Sequence, residues 1–272
     1  MRVKMCRQIM CLFMVLVVSV QFFCPAAYAK SSTNDIVIGI IDDLERIDRS
    51  CNGAPQQVAN GSYRAVEALT VIATKLDRFG LYGDLIEQTY NSLSSNNSRL
   101  SGAEQQTTNG LYRCVELLTI IALELDPAGT YSSVIKGVTE DWEKNDRNVN
   151  SAPQQNVNGI YRCVELLSII AFLKDTNGKR NSLIMDILED FESGNSSASS
   201  AAQQEVNGFY RAVDLLAVIA LEYDNYGLYS DTIMSTYENL STQNRRCDSA
   251  PQQCANGAYR MVELLCIIAM EA

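Results

Sequence analysis

Residues 56–73 have the sequence QQVANGSYRAVEALTVIA. This stretch places an Asn-Gly pair, a common turn signal, and then an Arg and a Glu inside an apolar pattern of helical periodicity. The signature occurs five times, and each copy begins 49 positions after the one before, with Asn-Gly at Asn60-Gly61, Asn109-Gly110, Asn158-Gly159, Asn207-Gly208 and Asn256-Gly257. A fixed period in this range predicts stacked supersecondary units.

Each unit is predicted to be a helical hairpin. A short amphipathic helix is predicted over Asp35–Ile47, with equivalents beginning near Asp84, Ser133, Ser182 and Asp231, and a long helix then carries the signature. The sequence therefore predicts an all-α fold of five tandem 49-residue helical-hairpin repeats, forming an α-solenoid or a closed α/α ring. A single domain is expected over residues 30–272, with units at about 35–77, 84–126, 133–175, 182–224 and 231–272.

The ends of the long helices carry recognisable signals. Ser151, Ser200 and Ser249 each precede a Gln by three residues, which predicts capping boxes, whereas Gly53 and Gly102 stand at the equivalent positions of the first two units. A glycine after each long helix, three residues beyond an Asp, is expected to end it; these are Gly80, Gly129, Gly178 and Gly227.

The glycine inside each signature needs a separate explanation. Glycine in a helix interior costs about 1 kcal/mol relative to alanine, so five such residues should have a compensating role. Close approach of a neighbouring helix is the first explanation, and a break in the helix at Asn-Gly is the alternative.

The last unit constrains how the array ends. An open solenoid normally needs terminal units with a polar outer face, yet Gln252–Ala272 is as apolar as the internal copies. Either the hairpins curl until the first and last units meet, or the C-terminal helix contacts another subunit and produces a homo-oligomer. A curved array or ring is favoured over a filament.

Four polar positions of each signature, those of Gln57, Asn60, Arg64 and Glu67 in the first, fall within about a quarter of the circumference of the long helix, and the signature Tyr is grouped with them. We call this set the polar strip. Its residues are Gln57, Asn60, Tyr63, Arg64, Glu67, Gln106, Asn109, Tyr112, Arg113, Glu116, Gln155, Asn158, Tyr161, Arg162, Glu165, Gln204, Asn207, Tyr210, Arg211, Asp214, Gln253, Asn256, Tyr259, Arg260 and Glu263.

Two interpretations of the polar strip are open. Arg64 and Glu67 have the i, i+3 spacing of an ion pair, and stacked copies could form a ladder in which each Arg also reaches the Glu of the next unit. Alternatively, the strip forms the surface of a groove that binds an extended peptide or a glycan. In a closed ring we expect the strip to face a central cavity.

The first 29 residues are predicted to be a secretory signal peptide. Arg2, Lys4 and Arg7 precede the apolar segment 9–23, and Ala27-Tyr28-Ala29 supplies a cleavage signal. The protein is therefore expected to be exported, periplasmic or secreted, after cleavage near Ala29. Losing three basic residues takes the formal charge from −10 to −13, which argues against a nucleic-acid partner. We expect no membrane span in the mature chain.

Six cysteines follow the predicted cleavage site. Cys247 and Cys254 would bridge the linker to the first turn of the last long helix, and they are the favoured disulfide candidate. Cys114 and Cys163 occupy equivalent positions on neighbouring helices, too far apart for a disulfide at ordinary helix spacing.

The composition limits the chemistry. The chain has no His and no Cys-x-x-Cys, which argues against His-based catalysis and a structural zinc site, and we expect no metal and no cofactor. The sequence therefore favours an exported, non-enzymatic binding scaffold for a peptide, protein or glycan. A self-assembling structural protein is the first alternative, and a glycan-active enzyme of the α/α ring type is the second.

Overall fold

A computed structural model describes residues 33–48, 53–97, 99–144, 149, 151–244 and 247–272. Every element in these residues is helical. Five short helices are α1 (Thr33–Asp43), α3 (Gly83–Asn97), α5 (Ser132–Lys144), α7 (Asn181–Ser197) and α9 (Ser230–Asn244). Five long helices are α2 (Ala54–Leu76), α4 (Ala103–Leu125), α6 (Ala152–Lys174), α8 (Ala201–Tyr223) and α10 (Ala250–Glu271).

The chain divides into two compact parts, Met1–Gly39 and Ile40–Ala272. Of the N-terminal part, the structure describes the beginning of α1. The C-terminal part contains the rest of α1, a π-helical turn over Leu44–Asp48 and all the other helices. The all-α prediction is confirmed for the described residues.

The five long helices, all in the part Ile40–Ala272, pack on one another in chain order. α2 contacts α4, α4 contacts α6, α6 contacts α8 and α8 contacts α10, and α10 in turn contacts α2. The Lys75 ammonium also donates a hydrogen bond of 2.7 Å to the Ala269 carbonyl oxygen, across the contact between the last and first long helices. The short helices α3, α5, α7 and α9 each pack on the long helices that precede and follow them.

The signature glycines lie at the contacts between long helices. A Cβ atom placed on Gly110 would lie 2.7 Å from Ser62 Cβ, and one on Gly61 would lie 2.8 Å from Ala258 Cβ. The other three glycines face the residue that follows the signature glycine of the preceding long helix. An added Cβ atom would lie 2.6 to 3.0 Å from its side chain, for Gly159 with Leu111, Gly208 with Ile160 and Gly257 with Phe209. Close helix packing is thus confirmed, and the alternative of a helix break at Asn-Gly is wrong, because each long helix continues through it.

Equivalent positions of the five long helices form the core. The Val at each signature is 0% exposed in every copy, as seen for Val66, Val115, Val164, Val213 and Val262. The Leu three positions later is 1% exposed in every copy, as seen for Leu69, Leu118, Leu167, Leu216 and Leu265. The 49-residue period of the sequence is therefore also a period in burial.

The helix starts differ in part from the capping prediction. Gly53, Gly102, Ser151, Ser200 and Ser249 are the N-cap residues, as expected. Only at Ser200 does the side chain accept a hydrogen bond from the first turn, from the N–H of Gln203. The capping-box prediction is wrong for Ser151 and Ser249, whose side chains make no cap hydrogen bond. At Ser200 only the serine half of the box forms, because Gln203 accepts from the N–H of Ser199, as Gln252 does from that of Asp248.

An Asp and a Gly end each of the first four long helices. Gly80, Gly129, Gly178 and Gly227 have φ between 63° and 72°, the left-handed conformation that glycine adopts without strain. The Asp carboxylate then holds the return loop. Asp126, for example, accepts hydrogen bonds of 2.8 Å from the N–H groups of Thr130 and Tyr131. This motif fixes where the next short helix begins.

The expectation that no later segment could span a membrane was too strict. Helix α6, Ala152–Lys174, is long enough and apolar enough to span a membrane, judged by length and composition alone. Within the structure, however, 67% of its most apolar window is buried against other helices. Burial of this kind is typical of a core helix.

The contact between Gly61 and Ala258 gives a test of the packing between the first and last long helices. Gly61→Ala should lower the free energy of unfolding by about 1 to 3 kcal/mol, because the added methyl group overlaps Ala258 Cβ. Gly137→Ala is the matched control: Gly137 is exposed within α5 with no atom within 4 Å of its Cβ position, so alanine should stabilise by about 0.5 to 1 kcal/mol. Urea denaturation measures both, and equal stabilisation by the two substitutions would contradict the contact.

Candidate binding cleft and polar strip

The polar strip lies against the short helices. Arg64 pairs with Asp43 at the end of α1, Arg162 with Asp141 on α5, and Arg211 with Asp190 on α7. The prediction that the strip faces a central cavity is therefore wrong. The physical reason is that the short helices supply carboxylates and backbone carbonyl oxygens to these polar groups, whereas Val and Leu fill the side where long helices meet.

The predicted Arg–Glu pairs form in all five units. The guanidinium Nη1 atom lies 2.6 to 3.0 Å from the carboxylate three residues later, in Arg64–Glu67, Arg113–Glu116, Arg162–Glu165, Arg211–Asp214 and Arg260–Glu263. The Arg113 and Arg260 side chains are only 10% exposed. Arg64, Arg162 and Arg211 have a second acidic partner, which lies on the short helix of the same repeat. Pairing with the Glu of the next unit stays a prediction.

The signature asparagine connects the two helices of one unit. Asn109 Nδ2 donates a hydrogen bond of 3.1 Å to the Leu93 carbonyl oxygen, and Asn207 and Asn256 make the same bond to Phe191 and Leu240. Each acceptor lies 16 residues earlier, in the last turns of the short helix. Each short helix continues for four or more residues past its acceptor, so the asparagine adds a second hydrogen bond to a carbonyl oxygen with two lone pairs and ties the two helices together.

The signature tyrosine packs on the short helix of the next unit. Tyr112 lies edge-on to Trp142 with ring centroids 4.0 Å apart, and Tyr161 has the same relation to Phe191 at 4.8 Å. Burial raises the pKa of the Tyr161 hydroxyl to about 12. Tyrosine therefore contributes mainly apolar contact between units.

Glutamines that precede the Asn-Gly pair donate hydrogen bonds to the linkers before the long helices. Gln106 and Gln155 donate to the carbonyl oxygens of Leu100 and Val149, which precede their helices. Gln56 donates to Asn60 Oδ1 at 3.0 Å and to Gln106 Oε1 at 3.1 Å, and the second of these bonds joins the long helices of the first two repeats. Much of the polar strip thus has a structural role.

One part of the strip also forms an open cleft. A cavity of about 140 Å³ lies between α2 and α3, and its walls consist of Asn60, Tyr63, Arg64, Glu67, Tyr90, Leu93 and Ser94. Two phenol rings and planar guanidinium, amide and carboxylate groups surround it. Arg64 stands between Asp43 and Glu67, so these three residues together carry a formal charge of −1.

The contact between α8 and α9 brings together similar residue types. Tyr237, Leu240 and Ser241 occupy the positions of Tyr90, Leu93 and Ser94, because α3 and α9 share the pattern Thr-Tyr-x-x-Leu-Ser. The Asp214 carboxylate raises the pKa of Tyr237, burial adds to this, and Arg211 opposes it, so the phenol lies near the Arg211–Asp214 pair. Burial also raises the pKa of Asp214 to about 6, which the Arg211 guanidinium opposes and Asp190 reinforces.

Sequence reasoning found the long-helix side of the cleft and missed the short-helix side. Tyr90, Ser94 and Asp43 were not predicted as site residues, since they vary from unit to unit. The shared pattern of α3 and α9 was the signal that could have identified them.

The cysteines do not follow the disulfide prediction. Cys247 and Cys254 are both free in the structure, so the predicted bond between them is not formed. Cys254 is buried and faces the first turns of the other long helices, whereas Cys247 lies half-buried in the linker. Cys114, Cys163 and Cys266 are buried free thiols, as small apolar residues would be. Cys51 lies outside the described residues, as do the predicted signal peptide and its cleavage site.

Within the described part of the chain, no group of three or more Cys, Asp and Glu side chains is placed to hold a metal ion. Comparison of the chain with protein-family models, curated proteins and solved structures found no match.

The asparagine contacts can be tested by truncation. Asn207→Ala should lower the free energy of unfolding by about 1 to 3 kcal/mol, because the Phe191 carbonyl and the Asn195 side chain lose their donor. Asn239→Ala is the control, since Asn239 makes only an exposed bond of 3.4 Å to Ser235, and it should change stability by less than about 0.5 kcal/mol. Chemical denaturation compares the two. An unchanged Asn207→Ala variant would show that the signature asparagine does not stabilise the fold.

Proposed function

We propose that residues 40–272 form a closed α/α ring of helical hairpins and that the ring serves as an exported scaffold for a neutral saccharide. The ring is supported by the contact of α10 with α2, which repeats the Gly-mediated contact found between successive long helices. In this arrangement the last helix is covered by the first. The reason for expecting oligomerisation through an exposed C-terminal helix is thereby removed.

The cleft between α2 and α3 is the observation on which the binding function rests. Its volume of about 140 Å³ suits one sugar ring better than an extended peptide, which would need a continuous groove. Amide, carboxylate, guanidinium and hydroxyl groups offer both donors and acceptors to the hydroxyls of a sugar. The Tyr63 and Tyr90 rings provide apolar faces.

Charge favours a neutral ligand. Arg64 already has two carboxylate neighbours at 2.8 and 3.3 Å, so an anionic sugar would meet a site with excess negative charge. The corresponding residues Arg211, Tyr237 and Ser241 would supply a second site and make the scaffold bivalent. Two weak sites on one body can hold a polymeric glycan more tightly than either site alone.

The alternatives receive less support. The i, i+3 ion pairs form in all five copies, four with Glu and one with Asp, so these residues have a structural role within each helix, and the inter-unit ladder remains a prediction. Self-assembly and a glycan-active enzyme both remain predictions from the sequence.

The saccharide proposal predicts weak, localised binding. A single sugar has about twelve heavy atoms, which at roughly −0.3 kcal/mol per atom gives about −4 kcal/mol and a millimolar Kd. Titrating neutral mono- and disaccharides into isotope-labelled protein should shift NMR resonances of α2 with α3 and of α8 with α9. Acidic sugars and short peptides should shift them less.

Blocking variants make this test specific. Ser94→Trp should remove the first set of shifts, Ser241→Trp the second, and the double variant both. Glu143→Trp places the same side chain at the equivalent exposed position of α5, next to a groove without the Tyr and Ser residues, and should leave both sets intact. Shifts that persist in the double variant, or that arise only with peptides, would refute the proposal.

A further inference from the structure

A second cavity lies where the five long helices begin. Its volume is about 150 Å³, and each long helix contributes two residues to its wall. The outer level consists of Pro55, Glu104, Pro153, Ala202 and Pro251. This axial pocket involves none of the polar-strip residues, so an inference about it is independent of the saccharide proposal.

The prolines argue against an anion at this position. Helix starts bind anions through backbone N–H groups, and Pro55, Pro153 and Pro251 have none. With Val58 and Ala202, the prolines instead make most of the wall apolar. A ligand of this pocket should therefore have a short hydrocarbon part.

Two carboxylates give the pocket its polar character. Glu104 lies in the outer level and Glu205 in the inner one, where Asn156 and Thr107 are its polar neighbours. Neither carboxylate has an ion-pair or hydrogen-bond partner among the described residues, although Glu205 is largely shielded from solvent. A mostly buried acid without a counter-ion is costly, and a cationic ligand would remove that cost.

We propose that the axial pocket binds a primary alkylammonium ion, with the ammonium group between Glu104 and Glu205 and the alkyl chain against the proline collar. Suitable ligands by chemistry are a short amine and the end of a lysine side chain. A metal ion fits less well, since the required cluster of ligand side chains is not found in the described residues and most of the wall is apolar.

The pocket should respond to pH. Burial raises the pKa of Glu205 to about 7, and the Glu104 carboxylate adds to this effect. Among the described residues that line the pocket, the one other titratable group is the Cys254 thiol on α10, whose pKa burial also raises, so the thiol stays neutral. From α2 and α6 the pocket receives Pro55 with Val58 and Pro153 with Asn156, which do not titrate.

Isothermal titration of the chain with n-butylammonium at pH 8 tests the proposal directly. We expect saturable binding that n-butanol and butyrate do not reproduce. Because the ammonium favours ionised Glu205, apparent affinity should decrease as pH falls through about 7. Glu205→Gln should weaken binding at least tenfold, whereas Glu189→Gln, which removes an exposed charge on α7, should not change it.

A stability measurement shows that the variant is folded. The pKa of Glu205 is raised in the folded state, so its ionisation destabilises the fold as pH rises from about 4.5 to above 7. Glu205→Gln should therefore match the wild type in Tm near pH 4 and exceed it at pH 8. Equal binding of n-butylammonium by a folded Glu205→Gln variant, equal binding of butyrate, or no saturable binding to the wild type would overturn the proposal.

Discussion

The rest of the structure depends on the close approach of neighbouring long helices at their signature glycines. At each contact a Cβ atom on the glycine would lie within 3.0 Å of the opposing side chain, so only glycine permits this spacing. The same close spacing brings the Val and Leu positions into one buried core. The cost of a helix-interior glycine is thus offset by packing, and it is offset five times by the same geometry.

The sequence was sufficient for the all-helical fold and for the close helix packing at the signature glycines, because a strict 49-residue period exposes positions under a common constraint. Val66 and Leu69 are buried with all their copies, in keeping with the apolar periodicity of the signature. The orientation of the polar strip could not be predicted from one helix alone. It depends on where carboxylates of the short helices lie, and Asp43, Asp141 and Asp190 do not recur in every unit.

The structure also separates two kinds of polar residue. Asparagines such as Asn109 join a long helix to a short one, and the Asp residues that end the long helices accept from loop N–H groups, so their repetition follows from folding. Tyr90 and Ser94, with their counterparts Tyr237 and Ser241, occur only in two of the units. Residues that repeat everywhere stabilise the fold, and the candidate cleft requires the residues that do not.

The contact that closes the set of long helices is the central claim, and a distance measurement tests it most directly. Nitroxide labels at Thr74→Cys and Glu271→Cys, with Cys51 and Cys247 replaced by Ser, report the separation of α2 and α10 by electron double resonance. Packed helices have axes about 8 to 10 Å apart, so we expect a narrow distribution below about 25 Å once label length is included. In an open array four interhelical steps would separate the labels by roughly 40 Å, and a distribution centred there would contradict the closed ring.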